Sequence, residues 1–260
     1  MNAVPVSPVT ELTDEQRERY VRNIDVVGLG EEGQLRLLNS SVLAIGAGGL
    51  GSAALPYLAA AGVGRIGVVD GDRVELKNMQ RQVLHTEIGR NKALSAMERL
   101  RALNPDVAVA AYPDYLTYQR ACELFARYDL VLDCTDTFGA KFMLSDAAEA
   151  VGARLIWATA VGMQAQCSVF GVPDEHGDCL YLRDLHPVEP AVGDYPQATD
   201  IGILGANVGQ VGAMQAAEAI KLLAGFGRPL VGRVAVLDTL NARWSNLPLR
   251  KSRSAPEKTH

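Results

Sequence analysis

Short apolar runs separated by helix-length segments set the rhythm of this chain. Ser41 to Ile45, Arg65 to Asp70, Val107 to Tyr112, Leu130 to Cys134, Arg154 to Thr159, Ala165 to Phe170 and Arg233 to Leu237 predict strands. Apolar runs of this length, bounded by turn residues, suit strands that are buried on both faces. Between the earlier ones, Leu50 to Gly62, Asn91 to Leu103, Tyr118 to Tyr128 and Ala140 to Val151 predict helices, the second stopped by Asn104-Pro105. Alternating strands and helices imply crossover connections, and so a mainly parallel sheet with helices on both faces. Later, Gly205 to Leu223 is rich in small residues and apolar at helical spacing, which predicts a buried helix.

Upstream, Thr13 and Gln16 have the spacing of a capping box for a helix from Asp14 to Asn23, and Asp14 and Glu15 favour its positive end. Gly28 and Gly30 then separate it from a second short helix, Glu31 to Leu38. Residues 171–204 break the rhythm with four prolines and several charges, over a length unusual for a structureless connection. The expected organisation is a loose arm over residues 1–12, one domain over 13–248 and a basic tail over 249–260.

Composition narrows the class. With 260 residues, 48% of them apolar, the chain can build a sizeable core. A net charge of −5 provides no general attraction for nucleic acid or an anionic membrane. Cys122, Cys134, Cys167 and Cys179 stand singly, and no charged-then-apolar segment opens the chain, so a cytoplasmic protein with reduced thiols is expected. The uncharged stretch from Ser41 to Gly64 is long enough to span a bilayer, but its glycines and Pro56 divide it into strand, turn and helix. No membrane partner is expected.

Gly46-Ala47-Gly48-Gly49-Leu50-Gly51 follows an apolar strand and opens an uncharged helix. Glycines let the backbone approach a phosphate closely, and the free N–H groups of the helix start supply partial positive charge. Asp70 ends the second strand, where an acid accepts hydrogen bonds from ribose hydroxyls in dinucleotide-binding folds. Its alternative role is to start the turn Asp70-Gly71-Asp72. Up to this point ATP and NAD are both possible.

The run Lys77-Asn78-Met79-Gln80-Arg81-Gln82 follows directly, with two cations and several amides suited to the β and γ groups of a triphosphate. Lys92 begins the next helix, where most lysines are merely solvated. Thr135-Asp136-Thr137 follows the strand Leu130 to Cys134, which places Asp136 at the carboxyl end of a parallel strand. A carboxylate there could hold Mg²⁺ through one oxygen, or could cap the following helix.

Together these blocks resemble the ThiF/MoeB/HesA family, bacterial relatives of ubiquitin-activating enzymes. The resemblance runs from Glu18-Arg19-Tyr20-Val21-Arg22 to Asp238, through the glycine loop, Asp70 to Gln82, Leu132 to Asp136 and Gly209 to Lys221. It implies a Rossmann-like, doubly wound α/β fold extended by antiparallel strands near the C-terminus. It also implies a homodimer that uses ATP and Mg²⁺ to adenylate the C-terminal carboxylate of a small ubiquitin-like sulfur-carrier protein ending in Gly-Gly. By the same resemblance Gly46, Gly48, Gly49 and Gly51 cradle the nucleotide and Asp70 and Asp72 lie at the ribose. Lys77, Asn78, Arg81 and Lys92 hold phosphates, Asp136 holds Mg²⁺ beside Thr137, and Arg22 reaches into the neighbouring subunit's site.

Two departures qualify the resemblance. Relatives hold a structural zinc with two Cys-x-x-Cys pairs, whereas here Leu182 stands three residues after Cys179 and no cysteine follows Trp244. No zinc is expected, and residues 171–204 should be mobile or held by apolar contacts instead. Thiol-using relatives also place a cysteine in the mobile loop, where this chain has Ala198 and Thr199. The expected chemistry therefore stops at the acyl adenylate. Rival readings are adenylation of a peptide or small carboxylic acid, and an NAD(P)-dependent oxidoreductase supported only by the glycine loop and Asp70.

Overall fold

The structure is a computed structural model that describes residues 8–191, 193–194 and 198–251. The parts of the expected arm and tail at residues 1–7 and 252–260 lie outside these. Among the described residues, eight strands form one sheet in the order β3-β2-β1-β4-β5-β6-β7-β8. The strands are β1 (Ser41–Ile45), β2 (Arg65–Val69), β3 (Ala108–Tyr112), β4 (Leu130–Asp133), β5 (Leu155–Val161), β6 (Gln164–Phe170), β7 (Arg233–Asp238) and β8 (Arg243–Pro248). β1 to β5 pair in parallel, and β6, β7 and β8 extend the sheet antiparallel. The order reverses between β1 and β4, which makes their carboxyl ends the place where doubly wound sheets take ligands.

Each parallel strand feeds both cores. Val42 and Ala44 of β1 point into one cluster with Leu55 and Leu58, while Leu43 and Ile45 point into another with Phe142 and Trp157. The first face carries α3 (Gly49–Ala60), α4 (Lys92–Leu103) and α9 (Gly205–Ala224); the second carries α5 (Tyr118–Phe125) and α6 (Phe138–Val151). The helices α3 and α9 meet closely because a Cβ on Gly212 would stand 2.6 Å from the Leu50 carbonyl oxygen. This contact holds the middle of α9 against the first turn of α3, beside the glycine loop.

Two further helices, α1 (Asp14–Ile24) and α2 (Gly30–Leu38), pack at the sheet's margin, and the Thr13–Gln16 capping box forms. The ordered part begins earlier and ends later than composition suggests. Leu12 is buried with Tyr20 and Leu38, and Val9 exchanges two backbone hydrogen bonds with the Asn39 amide at 2.7 and 2.8 Å. At the other end Leu249 is buried and its N–H donates to Gly232 at 2.8 Å.

The segment after β6 carries the short helices α7 (Leu182–Leu185) and α8 (Ala198–Ile201). It is held where described by apolar and ionic contacts. Leu180 and Leu182 are buried in the same cluster as Leu249, and Arg183 makes two 2.7 Å hydrogen bonds to Asp146. Lys251 reaches back to the Cys179 carbonyl at 3.2 Å and to Asp184 at 3.3 Å. Among the described residues no helix is long and apolar enough to cross a membrane.

Candidate active site

At the switch point the carboxyl ends of β1, β2 and β4 open onto a cavity of about 370 Å³. The loop after β1 brings Gly46, Gly48 and Gly49 to it, the turn after β2 brings Asp70 and Asp72, the turn after β4 brings Asp136 and Thr137, and Arg81 and Lys92 come from the loop before α4 and from its first residue. Gly51, Lys77, Asn78 and Arg22 do not line the cavity.

The glycines have separate reasons to be glycine. Gly46 has φ of +100°, and a Cβ on it would meet the Cys134 carbonyl oxygen at 2.7 Å. A Cβ on Gly51 would stand 2.5 Å from the Gly46 oxygen, and one on Gly49 would stand 2.7 Å from Val208. These three allow the loop to fold tightly, and Gly51 does so without facing the cavity. Gly48 is different, since the nearest atom to its Cβ position is the Gln82 Nε2 at 3.5 Å. Its bareness leaves room for a ligand. We expect Gly46→Ala to cost about 1–3 kcal/mol from backbone strain alone, measured by denaturant unfolding, with more lost to the Cys134 clash.

Asp70 takes the turn-forming role and also braces the glycine loop. Its Oδ1 accepts from the Asp72 N–H at 2.8 Å, closing the turn, and its Oδ2 accepts from the Ala47 N–H of the glycine loop at 2.8 Å. Each oxygen retains a lone pair for a ribose hydroxyl. Burial raises its pKa, against the pull of these two backbone donors.

Lys92 is buried rather than solvated, and its Nζ stands 2.9 Å from Asp72 Oδ2. Burial would raise the Asp72 pKa, but the Tyr115 hydroxyl at 2.5 Å and Lys92 outweigh it and hold the carboxyl below its ordinary value. Tyr115 lines the cavity just beyond β3. Sequence reasoning passed over it, although its place at the carboxyl end of a parallel strand was a usable signal.

The polar run after β2 divides. The Asn78 side-chain Oδ1 accepts from the Glu75 N–H at 3.1 Å and caps a 3-10 turn, so the buried Asn78 side chain is committed to the backbone. Lys77 points outward and pairs with Glu75 at 2.9 Å. The Asn78 main-chain carbonyl accepts from the Arg81 and Gln82 N–H groups at 3.1 and 2.9 Å. Asn78 thus supports the two residues that do reach the cavity. Gln82, not singled out as a site residue from sequence, is buried there with its Oε1 lacking any hydrogen-bond partner. An orphaned polar atom in a cavity wall is what a polar ligand would satisfy.

The alternative role for Asp136 is taken by its neighbour. Thr137 caps α6 by accepting from the Ala140 N–H at 3.3 Å. The Thr135 N–H and hydroxyl both bond to Asp133 Oδ1, at 2.9 and 2.6 Å. Buried Lys141 holds Asp133 at 3.3 Å and donates to the Ala158 carbonyl at 2.6 Å. With both flanking threonines engaged, the exposed Asp136 carboxylate is tied by no hydrogen bond or ion pair among the described residues. No group of three or more His, Cys, Asp or Glu able to hold a metal occurs among them. One carboxylate, with phosphate oxygens and water as the remaining ligands, suits Mg²⁺.

Arg22 stands on α1 with its side chain 91% exposed, paired to Asp25 at 3.1 Å. Cys134 and Cys167 are buried, and burial pushes both thiols well above their ordinary pKa. Neither is available as a thiolate.

Sheet order and cavity define a doubly wound α/β domain with a cavity at its switch point. The chain belongs to the ThiF family, whose model matches residues 20–257. It is 43% identical over 247 residues to the sulfur carrier protein adenylyltransferase of Thermus thermophilus, covering 94% of this chain and 91% of that protein. It is 41% identical over 256 residues to the "Probable adenylyltransferase/sulfurtransferase MoeZ" of Mycobacterium tuberculosis, covering 98% of this chain but 65% of that one. The crystal structure of E. coli MccB with selenomethionine MccA superposes with a TM-score of 0.79 at 20% identity, over 91% of this chain and 73% of that one, and so shares the fold. The chain is an adenylyltransferase of the ThiF type.

Proposed function

We propose that this chain binds ATP with Mg²⁺ in the switch-point cavity and adenylates the C-terminal carboxylate of a small ubiquitin-like sulfur-carrier protein, releasing pyrophosphate. The observation that carries this reading is the joint placement of Arg81, Lys92, an uncommitted Asp136 and the bare Gly48 around one cavity. An NAD-dependent oxidoreductase needs the glycine loop and Asp70, but it has no use for two cations and a free carboxylate at the phosphate end.

A carboxylate approaching a polyphosphate meets anion–anion repulsion, so the site's work is positioning and charge neutralisation. Asp70 would accept the ribose hydroxyls. Arg81 and Lys92 would neutralise charge on the phosphates, Lys92 giving up part of its pairing with Asp72 as it does so. Asp136 would hold Mg²⁺, which when bound offsets charge on the phosphate oxygens. The carrier's terminal carboxylate is the nucleophile, and pyrophosphate leaves. The proposed step ends at the acyl adenylate without an enzyme thioester, a reading supported by Ala and Thr at positions 198 and 199 and by the burial of the two strand cysteines. A carrier ending in Gly-Gly would present its carboxylate on a tail without bulky side chains. Similarity to the sulfur carrier protein adenylyltransferase of Thermus thermophilus supports a carrier protein as the acyl substrate; a peptide or small acid is the alternative. We place the acidic, thiol-containing chain in the cytoplasm.

We also propose a homodimer in which Arg22 serves the neighbouring subunit's cavity, since its exposed guanidinium lies outside its own. Arg22→Ala is expected to lower ATP–pyrophosphate exchange by tenfold or more, on the order of one charge-assisted hydrogen bond, while the dimer persists in sedimentation. Function is tested by ATP–pyrophosphate exchange with candidate carriers. A carrier with a free terminal carboxylate should stimulate exchange, and the same carrier amidated at that end should not. Exchange stimulated only by a small acid or peptide would favour the alternative, and none with any acid would defeat both.

A further inference from the structure

His85 is buried behind the glycine loop and does not line the cavity. Its Nε2 stands 2.7 Å from the Ala47 carbonyl oxygen and its Nδ1 stands 3.0 Å from the Ser95 hydroxyl. A carbonyl only accepts, so Nε2 carries the proton and donates; the neutral ring's Nδ1 then accepts from Ser95. Ala47 is thereby held at both ends, since its own N–H donates to Asp70 at 2.8 Å.

Holding that carbonyl has a consequence on the cavity side. The chain contains no cis peptide bond among its described residues, so in the planar unit joining Ala47 and Gly48 the C=O and N–H point in opposite directions. A carbonyl drawn back to His85 turns the Gly48 N–H away from His85. Gly48 lines the cavity, and among the described residues no protein group is hydrogen-bonded to its N–H, whereas its carbonyl accepts from the Ser52 N–H at 2.8 Å. From this geometry we propose that His85 is a positioning residue: by anchoring the Ala47 carbonyl it aims the Gly48 N–H into the cavity as a donor for a phosphate oxygen of the nucleotide. The inference rests on the ATP reading of the site and adds to it a residue that touches no ligand.

The Asp70 contact strengthens the assignment. The same two-residue stretch presents one donor to the carboxylate expected at the ribose and another to the phosphates. Losing the His85 anchor would free the peptide between Ala47 and Gly48 to rotate while Asp70 still holds the Ala47 N–H. The phosphate contact should therefore fail while the nucleoside contact survives.

The test compares ATP·Mg²⁺ with adenosine by calorimetric titration of the full chain and of His85→Leu, His85→Gln and His85→Asn. Glutamine can place an N–H where the histidine Nε2 lies; asparagine reaches only the Nδ1 position. In His85→Leu the dissociation constant for ATP·Mg²⁺ should rise about tenfold, as for one charge-assisted hydrogen bond, with adenosine affinity changed less than about twofold. His85→Gln should recover most of the loss and His85→Asn should not. If His85→Leu does not fold, the Gln and Asn variants carry the comparison alone. Equal losses for adenosine and ATP, unchanged ATP affinity in the variants that lack the donor, or a Gln variant no better than Asn would overturn the proposal. A wild-type chain that binds adenosine but gains nothing from the phosphates overturns the site reading and this inference with it.

Discussion

Asp136→Ala is expected to reduce carrier-dependent ATP–pyrophosphate exchange by roughly a hundredfold to a thousandfold, the range seen when one electrostatic contact to a reacting centre is removed. Stability should change by less than about 0.5 kcal/mol, as for a surface position without special contacts. Both halves of this expectation come from the same arrangement. Thr137 caps α6 and Thr135 is bonded to Asp133, so the fold does not depend on the carboxylate between them. An exposed carboxylate with no partner among the described residues, at the carboxyl end of a parallel strand, is held for a ligand or for nothing. Exchange at saturating Mg²⁺ together with a thermal melt distinguishes the two. A variant with wild-type exchange would remove Asp136 from the metal site.

The largest stability effect is expected a few residues away. Lys141→Met should cost about 3–5 kcal/mol, the usual result of leaving one member of a buried ion pair without its partner. Asp133 is fully buried and Lys141 nearly so, and the ammonium also satisfies the Ala158 carbonyl. The pair matters beyond its own energy because Asp133 fixes the Thr135 N–H and hydroxyl, and with them the turn that presents Asp136. Combining Lys141→Met with Asp133→Asn should recover much of the loss, since asparagine keeps an acceptor for Thr135 without a charge. Urea unfolding of the single and double variants measures this directly. A single variant within about 1 kcal/mol of wild type would mean that water or a neighbouring group compensates Asp133, and the bracing role would fall.

The sheet was largely legible in the sequence because buried parallel strands leave short apolar runs that few other structures need. β8 was not assigned, since Arg243–Pro248 is a mostly exposed edge strand whose polar composition resembles a tail. Leu12 and Leu249, placed in the arm and the tail from sequence, are buried: Leu12 stands alone between polar residues and Leu249 ends a short apolar run before a basic stretch, so only tertiary contact reveals their burial. At the site, residue type and order were informative while direction was not. Lys77, Asn78 and Arg81 lie in one polar run, and a capped 3-10 turn decides that Arg81 faces the cavity while Lys77 faces solvent. His85 was invisible for a different reason. It acts through a main-chain carbonyl, and no spacing rule links a histidine to a peptide unit far away along the chain.

Mass spectrometry of a sulfur-carrier protein incubated with this chain, ATP and Mg²⁺ tests the central claim most directly. The expected result is a carrier that gains one AMP on its terminal carboxylate, with pyrophosphate released and the mass of the enzyme unchanged. An enzyme that acquires the acyl group, or a carrier that stays unmodified while NAD⁺ binds tightly to the cavity, would contradict it.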